Sequence, residues 1–218
     1  MAQVPSETIK PRLRGRLHQI AFLCAIPAGI TLVALGRTGR ARAAAAVYAL
    51  GFIALYGVSA SYHRIQWSPR ARQWMRKLDH STIFIFIAAT YTPFSVLALR
   101  GAWGVSILAT VWGLAAVGAA LKVLRLRAAS RAGTAMYVAL GWTAIVAMPQ
   151  LVRALSIPGV ALLIGGGVLY TTGAVIYALK RPNPNPAVFG YHEVYHSLVI
   201  GGSLCHYIMI LSLALSAH

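Results

Sequence analysis

The chain has 218 residues, of which 58% are hydrophobic and only 11% charged, and its mean hydropathy is +0.68. Soluble domains carry roughly one quarter charged residues, so this composition excludes an ordinary soluble globular protein and points to a membrane. Lysine and arginine number 20 against three acids, Glu7, Asp79 and Glu193. A nucleic-acid binder would gather those cations on a solvated face. Here they fall between apolar runs, the pattern of a membrane protein that meets anionic lipid, so nucleic acid is not expected as a partner.

Residues 1–16 read as a basic cytoplasmic tail and 17–218 as one transmembrane domain. The tail ahead of an apolar run resembles a secretory signal, and ARAAAA further on mimics a cleavage site. Six more apolar runs make a retained first helix the better reading. The seven spans are expected at 17–35, 43–63, 79–99, 103–121, 133–152, 158–179 and 192–215, each near the length that crosses a bilayer. Cys24 and Cys205 read as small buried side chains, not a disulfide. Between spans two and three, Ser68-Pro69 has the form of a helix cap followed by proline at the first helical position. It predicts a short helix on the membrane surface, flanked by Trp67 and Trp74 of an aromatic belt. Pro27, Pro93, Pro149 and the Gly165–Gly167 run are tolerated in a bundle, where small residues let helices approach closely.

The positive-inside rule orients this bundle. With the N-terminus cytoplasmic and the C-terminus outside, fifteen cations lie inside, including Lys10, Arg14, Arg76, Arg125, Arg127 and Arg131. Five lie outside, at Arg37, Arg40, Arg42, Arg100 and Arg153. The expected class is therefore an all-α integral membrane protein with seven transmembrane helices, multi-pass in a bacterial inner membrane. Anionic headgroups would meet its cytoplasmic rim at Arg70, Arg72, Arg76 and Lys77.

On that map His63 ends span two, Asp79 opens span three, and His192, Glu193 and His196 open span seven, all at one membrane level. Ionisable groups at such depth are costly and mark functional sites. His192 and His196 are one helical turn apart and can reach one ion, with His63 as a third donor. Three histidines about a tetrahedral zinc leave a position for water, and zinc brings that water's pKa to about 7. Asp79 would hold the water or shuttle its proton. Ser59, one turn before His63, would orient a ligand or touch substrate. HEVYH also fits the HExxH pattern of metalloproteases, in which Glu193 would be the general base. Glu193 lies about 60° round the helix from His196 and need not face the ion. If Asp79 ligates directly beside two histidines, an iron site is the alternative. His206 lies about 15 Å of helix rise beyond His196, too far to share the ion, and reads as a hydrogen-bonded interior residue. His80 reads as helix-end polarity, and His18 and His218 as interface or tail.

The order Ser59-Ala60-Ser61-Tyr62-His63, Leu78-Asp79-His80, Thr90-Tyr91-Thr92-Pro93 and His192-Glu193-Val194-Tyr195-His196 resembles the hemolysin III family. That family is related to the progestin and adipoQ receptors and, more distantly, to alkaline ceramidases. The resemblance implies a seven-helix fold, N-terminus inside, with one zinc on His63, His192 and His196 plus water, Asp79 on that water and Ser59 nearby. It also implies hydrolysis of a lipid amide or ester by a metal-bound hydroxide. The alternatives are a zinc-containing receptor or sensor without catalysis, and a cytolysin of the kind the family name describes. The intramembrane metalloprotease stands behind these.

Overall fold

The computed structural model describes residues 11–124 and 131–217, with Arg131 described by its backbone alone. Glu7, Lys10, Arg125, Arg127, the Arg131 side chain and His218 lie outside the described residues. The elements are α1 (Arg16–Leu35), α2 (Gly39–Arg64), α3 (Pro69–Pro93), a π-helical turn (Phe94–Ala98), α4 (Ala102–Leu124), α5 (Arg131–Gly141), α6 (Ala144–Ala154), α7 (Ile157–Leu179) and α8 (Tyr191–Ser216). Among the described residues the only β pairing is an isolated bridge between Asn185 and Phe189. Seven segments are long and apolar enough to cross a membrane, with α5 and α6 as two halves of the fifth. The apolar surface is turned outward, as lipid requires: Ile20, Leu23 and Ile30 on α1 and Leu114 and Val117 on α4 are exposed. The third span is the hub, with 67% of its apolar segment buried against 22% for the first and 28% for the fourth.

Four expectations are corrected. Ser68 does cap a helix, accepting the amide of Ala71 at 3.4 Å with Pro69 in the first turn, but no separate surface helix forms. Residues 70–78 contain no breaker and are mostly good helix formers, so the first turns run unbroken into the span. Asp79 consequently lies about 15 Å of helix rise inside α3 and not at its opening. The second span starts earlier than its apolar run, because Thr38 accepts the Ala41 amide at 3.1 Å and starts the helix at Gly39. The cysteines are free but not buried in the protein: Cys24 is exposed and Cys205 partly so, on a surface where a small apolar side chain can face lipid.

The fifth crossing is broken at Trp142–Thr143, which would leave backbone groups unpaired at membrane depth. Tyr91 of α3 repairs the break. Its hydroxyl donates to the Gly141 carbonyl at 2.6 Å and accepts the Ala144 amide at 2.7 Å. Close approach brings α2 and α3 together: a Cβ placed on Gly51 would meet the Ala89 Cβ at 2.6 Å, so only glycine fits this crossing. Tyr91→Phe keeps the ring but strands both backbone groups. It should lower stability by about 1–3 kcal/mol, read as a lower thermal midpoint in detergent.

Candidate metal centre

α2 ends and α8 begins at the same end of the bundle, and their terminal turns carry the histidines. His63 sits in the last turn of α2, and His192 and His196 lie one turn apart in the first turns of α8. The Nε2 atoms of His63 and His192 are 3.1 Å apart, and the His192 and His196 ring centroids are 4.4 Å apart. One ligating nitrogen from each of the three lies within 4.8 Å of the others. His63 and His196 are buried, and His192 partly so. This donor set fits a metal ion. Neutral imidazoles suit zinc and its neighbours, and nitrogens bound to one tetrahedral zinc stand roughly 3.3 Å apart, given bonds near ~2.0–2.1 Å. Asp79 is outside the ligand group. Tyr62 lies against His63, and Tyr177 and Tyr195 against His192, with centroids 4.6, 5.7 and 6.1 Å away, and they wall the cluster with aromatic rings.

The start of α8 is held by backbone and acid chemistry. The Gly190 amide donates to Glu193 Oε2 at 2.9 Å and the Tyr191 amide to Asn183 Oδ1 at 2.9 Å, so two of the helix's orphan donors are satisfied. The other Glu193 oxygen, Oε1, accepts from Arg14 Nε at 2.5 Å. Both oxygens of the HEVYH glutamate are thus occupied, and the side chain is 1% exposed. This is a capping and anchoring carboxylate, and the group of three histidines does not include it. Through Arg14 it fixes the segment ahead of α1. The amides of Arg12 and Leu13 donate to the carbonyls of Ala187 and Val188. Gly15, at φ 79°, packs so closely on His63 that a Cβ there would lie 2.5 Å from the His63 Cβ.

His18 was expected at the interface, and the structure corrects that. It is 3% exposed and stacks on His196 with centroids 3.6 Å apart and planes 5° from parallel. Its Nδ1 shares a hydrogen bond of 2.8 Å with Ser59 Oγ. The Asp79 carboxyl group is a close polar neighbour of the Ser59 side chain. Ser59 therefore has both the carboxyl of α3 and the imidazole of α1 as neighbours, beside the three histidines. His18 carries no motif. The signal that could have found it is its level, since the start of α1 shares an end of the bundle with the start of α8. Arg14 likewise left no mark beyond belonging to a basic run.

The remaining histidines fall elsewhere. His206 is buried and its Nε2 bonds the Leu163 carbonyl at 3.2 Å, as an interior histidine does. His80 is buried within α3 and not at a helix end, with Lys122 and Arg76 as its charged neighbours.

Fold and site define a polytopic membrane protein with a histidine cluster at one end of a seven-helix bundle. The Haemolysin-III related family model matches residues 6–207. Hemolysin-3 of Bacillus cereus is 36% identical over 197 residues, covering 89% of this chain and 87% of that protein. The Hemolysin-3 homolog of Bacillus subtilis strain 168 is 31% identical over 208 residues, covering 94% of each. The chain belongs to the hemolysin III family.

A double-mutant cycle with Arg14→Met and Glu193→Gln tests the anchor, since glutamine preserves an acceptor for the Gly190 amide. The coupling energy should fall within about 0.5–3 kcal/mol, read from thermal unfolding. Both single variants should speed hydrogen exchange at residues 12–15.

Proposed function

We propose that this chain is a zinc-dependent hydrolase acting on an acyl amide or acyl ester bond of a membrane lipid. The observation that carries the reading is the gathering of three imidazoles within ligating distance, with a carboxylate that neighbours Ser59 but is not among the ligands. His63, His192 and His196 would hold the ion. When bound, zinc supplies Lewis acidity and makes water nucleophilic near neutral pH. Asp79 is the residue that holds the reacting water and takes its proton at a carboxyl oxygen. Ser59 orients that carboxyl and reaches toward substrate. The tyrosine walls limit water around the reacting bond, which strengthens each electrostatic contact in the site.

A membrane-end site suits a lipid whose scissile bond lies near the headgroup boundary. The excess of arginine and lysine at the histidine end supports an inner-membrane protein with that end, and its N-terminus, in the cytoplasm. Arg70, Arg72, Arg76 and Lys77 at the start of α3 would then meet anionic headgroups. Zinc is favoured over iron because the group within reach is three imidazoles, whereas a facial-triad iron site needs a carboxylate ligand.

Metal content by mass spectrometry on detergent-purified protein tests the site. Wild type should carry zinc at about one ion per chain, the number a three-imidazole site takes. His192→Ala should lose it and Asp79→Ala should keep it. Incubation with a panel of amide- and ester-linked lipids then tests the reaction. Cleavage should require the metal and fall at least about a hundredfold in Asp79→Ala, as loss of a general base does. Metal that raises the melting temperature while no lipid is cleaved would assign the bundle to a receptor or sensor. Dye release from liposomes without cleavage would assign it to cytolysis.

A further inference from the structure

The first helix supplies no ligand, yet it supplies the ring that lies flat against one. We propose that His18 is a positioning residue of the metal centre, which fixes the plane of the His196 ring by stacking and the Ser59 hydroxyl by a hydrogen bond, and so sets the affinity for the ion. The inference rests on the metal reading above and adds to it a residue from an element outside the ligand set.

Three contacts determine how the His18 ring can lie. Its face meets the His196 ring at 3.6 Å and 5°. Tyr56 of α2 meets it at 4.9 Å and 77°, an edge-to-face contact on a second side. Its Nδ1 is tied to Ser59 at 2.8 Å, while Nε2 is buried and has no hydrogen-bond partner. The single bond at Nδ1 therefore chooses the rotation of the ring, and the two aromatic contacts choose its plane. No other bond competes for it.

The contact matters because of what His196 must do. A ligating imidazole binds well only when its nitrogen lone pair points at the ion, and groups that hold the ring orientation are worth about 10- to 100-fold in metal affinity. In most sites a hydrogen bond to the second ring nitrogen performs this task. His196 is instead surrounded by rings, those of His18, His192, His63 and Tyr195. Among them only His18 lies parallel to it. An imidazole that donates its lone pair to a cation becomes electron-poor, so a parallel ring against its face is held more firmly once the ion is bound. The stack is then a metal-linked contact between α1 and α8.

The two functions of His18 separate by substitution. His18→Phe keeps a flat ring and loses the Ser59 bond. His18→Leu fills similar space without a flat ring, and His18→Ala removes both. Cobalt(II) and zinc titrations of the purified, metal-stripped chain read affinity, and the visible absorption of bound cobalt reads coordination geometry. Melting of the metal-free variants controls for packing. The expected result is a 10- to 100-fold loss of affinity in Ala and Leu, as for other ring-orienting partners. Phe should recover much of it, while metal-free melting does not separate Phe from Leu. If all three variants bind cobalt and zinc as wild type does, the proposal is overturned. If affinity simply follows metal-free stability, so that Leu equals Phe, His18 is a packing residue and the proposal is again overturned. Wild type that takes up neither metal overturns the metal reading and the positioning role with it, an outcome distinct from the other two.

Discussion

The ion pair between Arg14 and Glu193 is the contact on which the site's geometry depends. Glu193 is one of only three acids in the chain, and it is almost fully buried at the first turn of α8. A lone carboxylate there would be costly, and its position is tolerable because one oxygen takes a backbone amide and the other takes a guanidinium. The negative charge also lies at the positive end of the helix dipole, where it is favoured. The consequence reaches beyond α8. Holding Arg14 pulls residues 12–15 onto the loop at 187–188, seats Gly15 on His63, and delivers His18 to the face of His196.

A second polar layer lies deeper, where water cannot serve. Ser203 of α8 accepts the Tyr56 hydroxyl at 2.8 Å, shares a hydrogen bond of 2.9 Å with Tyr170, and donates to the Val199 carbonyl at 2.8 Å. One small hydroxyl thus ties α2, α7 and α8 together at a level where each unsatisfied group would cost several kcal/mol (on the order of the buried-amide penalty). Tyr91 does the same for the broken fifth crossing. The bundle has little hydrophobic drive between helices, since lipid is as apolar as its side chains. Such bonds and close glycine crossings specify how the helices meet.

The histidine centre lies between these layers. Tyr56 links them physically, with its hydroxyl on Ser203 and its ring in edge-to-face contact with His18. Asp79 enters from the hub helix α3 and neighbours Ser59, outside the group of three histidines. In the proposed reaction this arrangement would separate the donors that hold an ion from the carboxylate that moves a proton. It lets one helix, α2, serve both through His63 and Ser59 one turn apart.

Much of this was legible in the chain alone. Hydropathy revealed seven crossings because lipid demands about twenty apolar residues from each. Helical periodicity put His192 and His196 on one face. Alternating direction along seven spans brought His63 and Asp79 to their level. The motif order resembled the family to which the chain belongs. What the sequence could not determine was everything decided by side-chain direction and by contact between distant segments. Whether Glu193 faced the ion or a cap, and whether His18 faced lipid or His196, are rotational choices of a helix, and neither leaves a periodic trace. The length of α3 escaped as well, because its polar first turns look like a loop by hydropathy although nothing in them stops a helix. Composition and period determine which segments cross the membrane. Only packing, which must find a partner for each buried polar group, decided which residues meet around the three histidines.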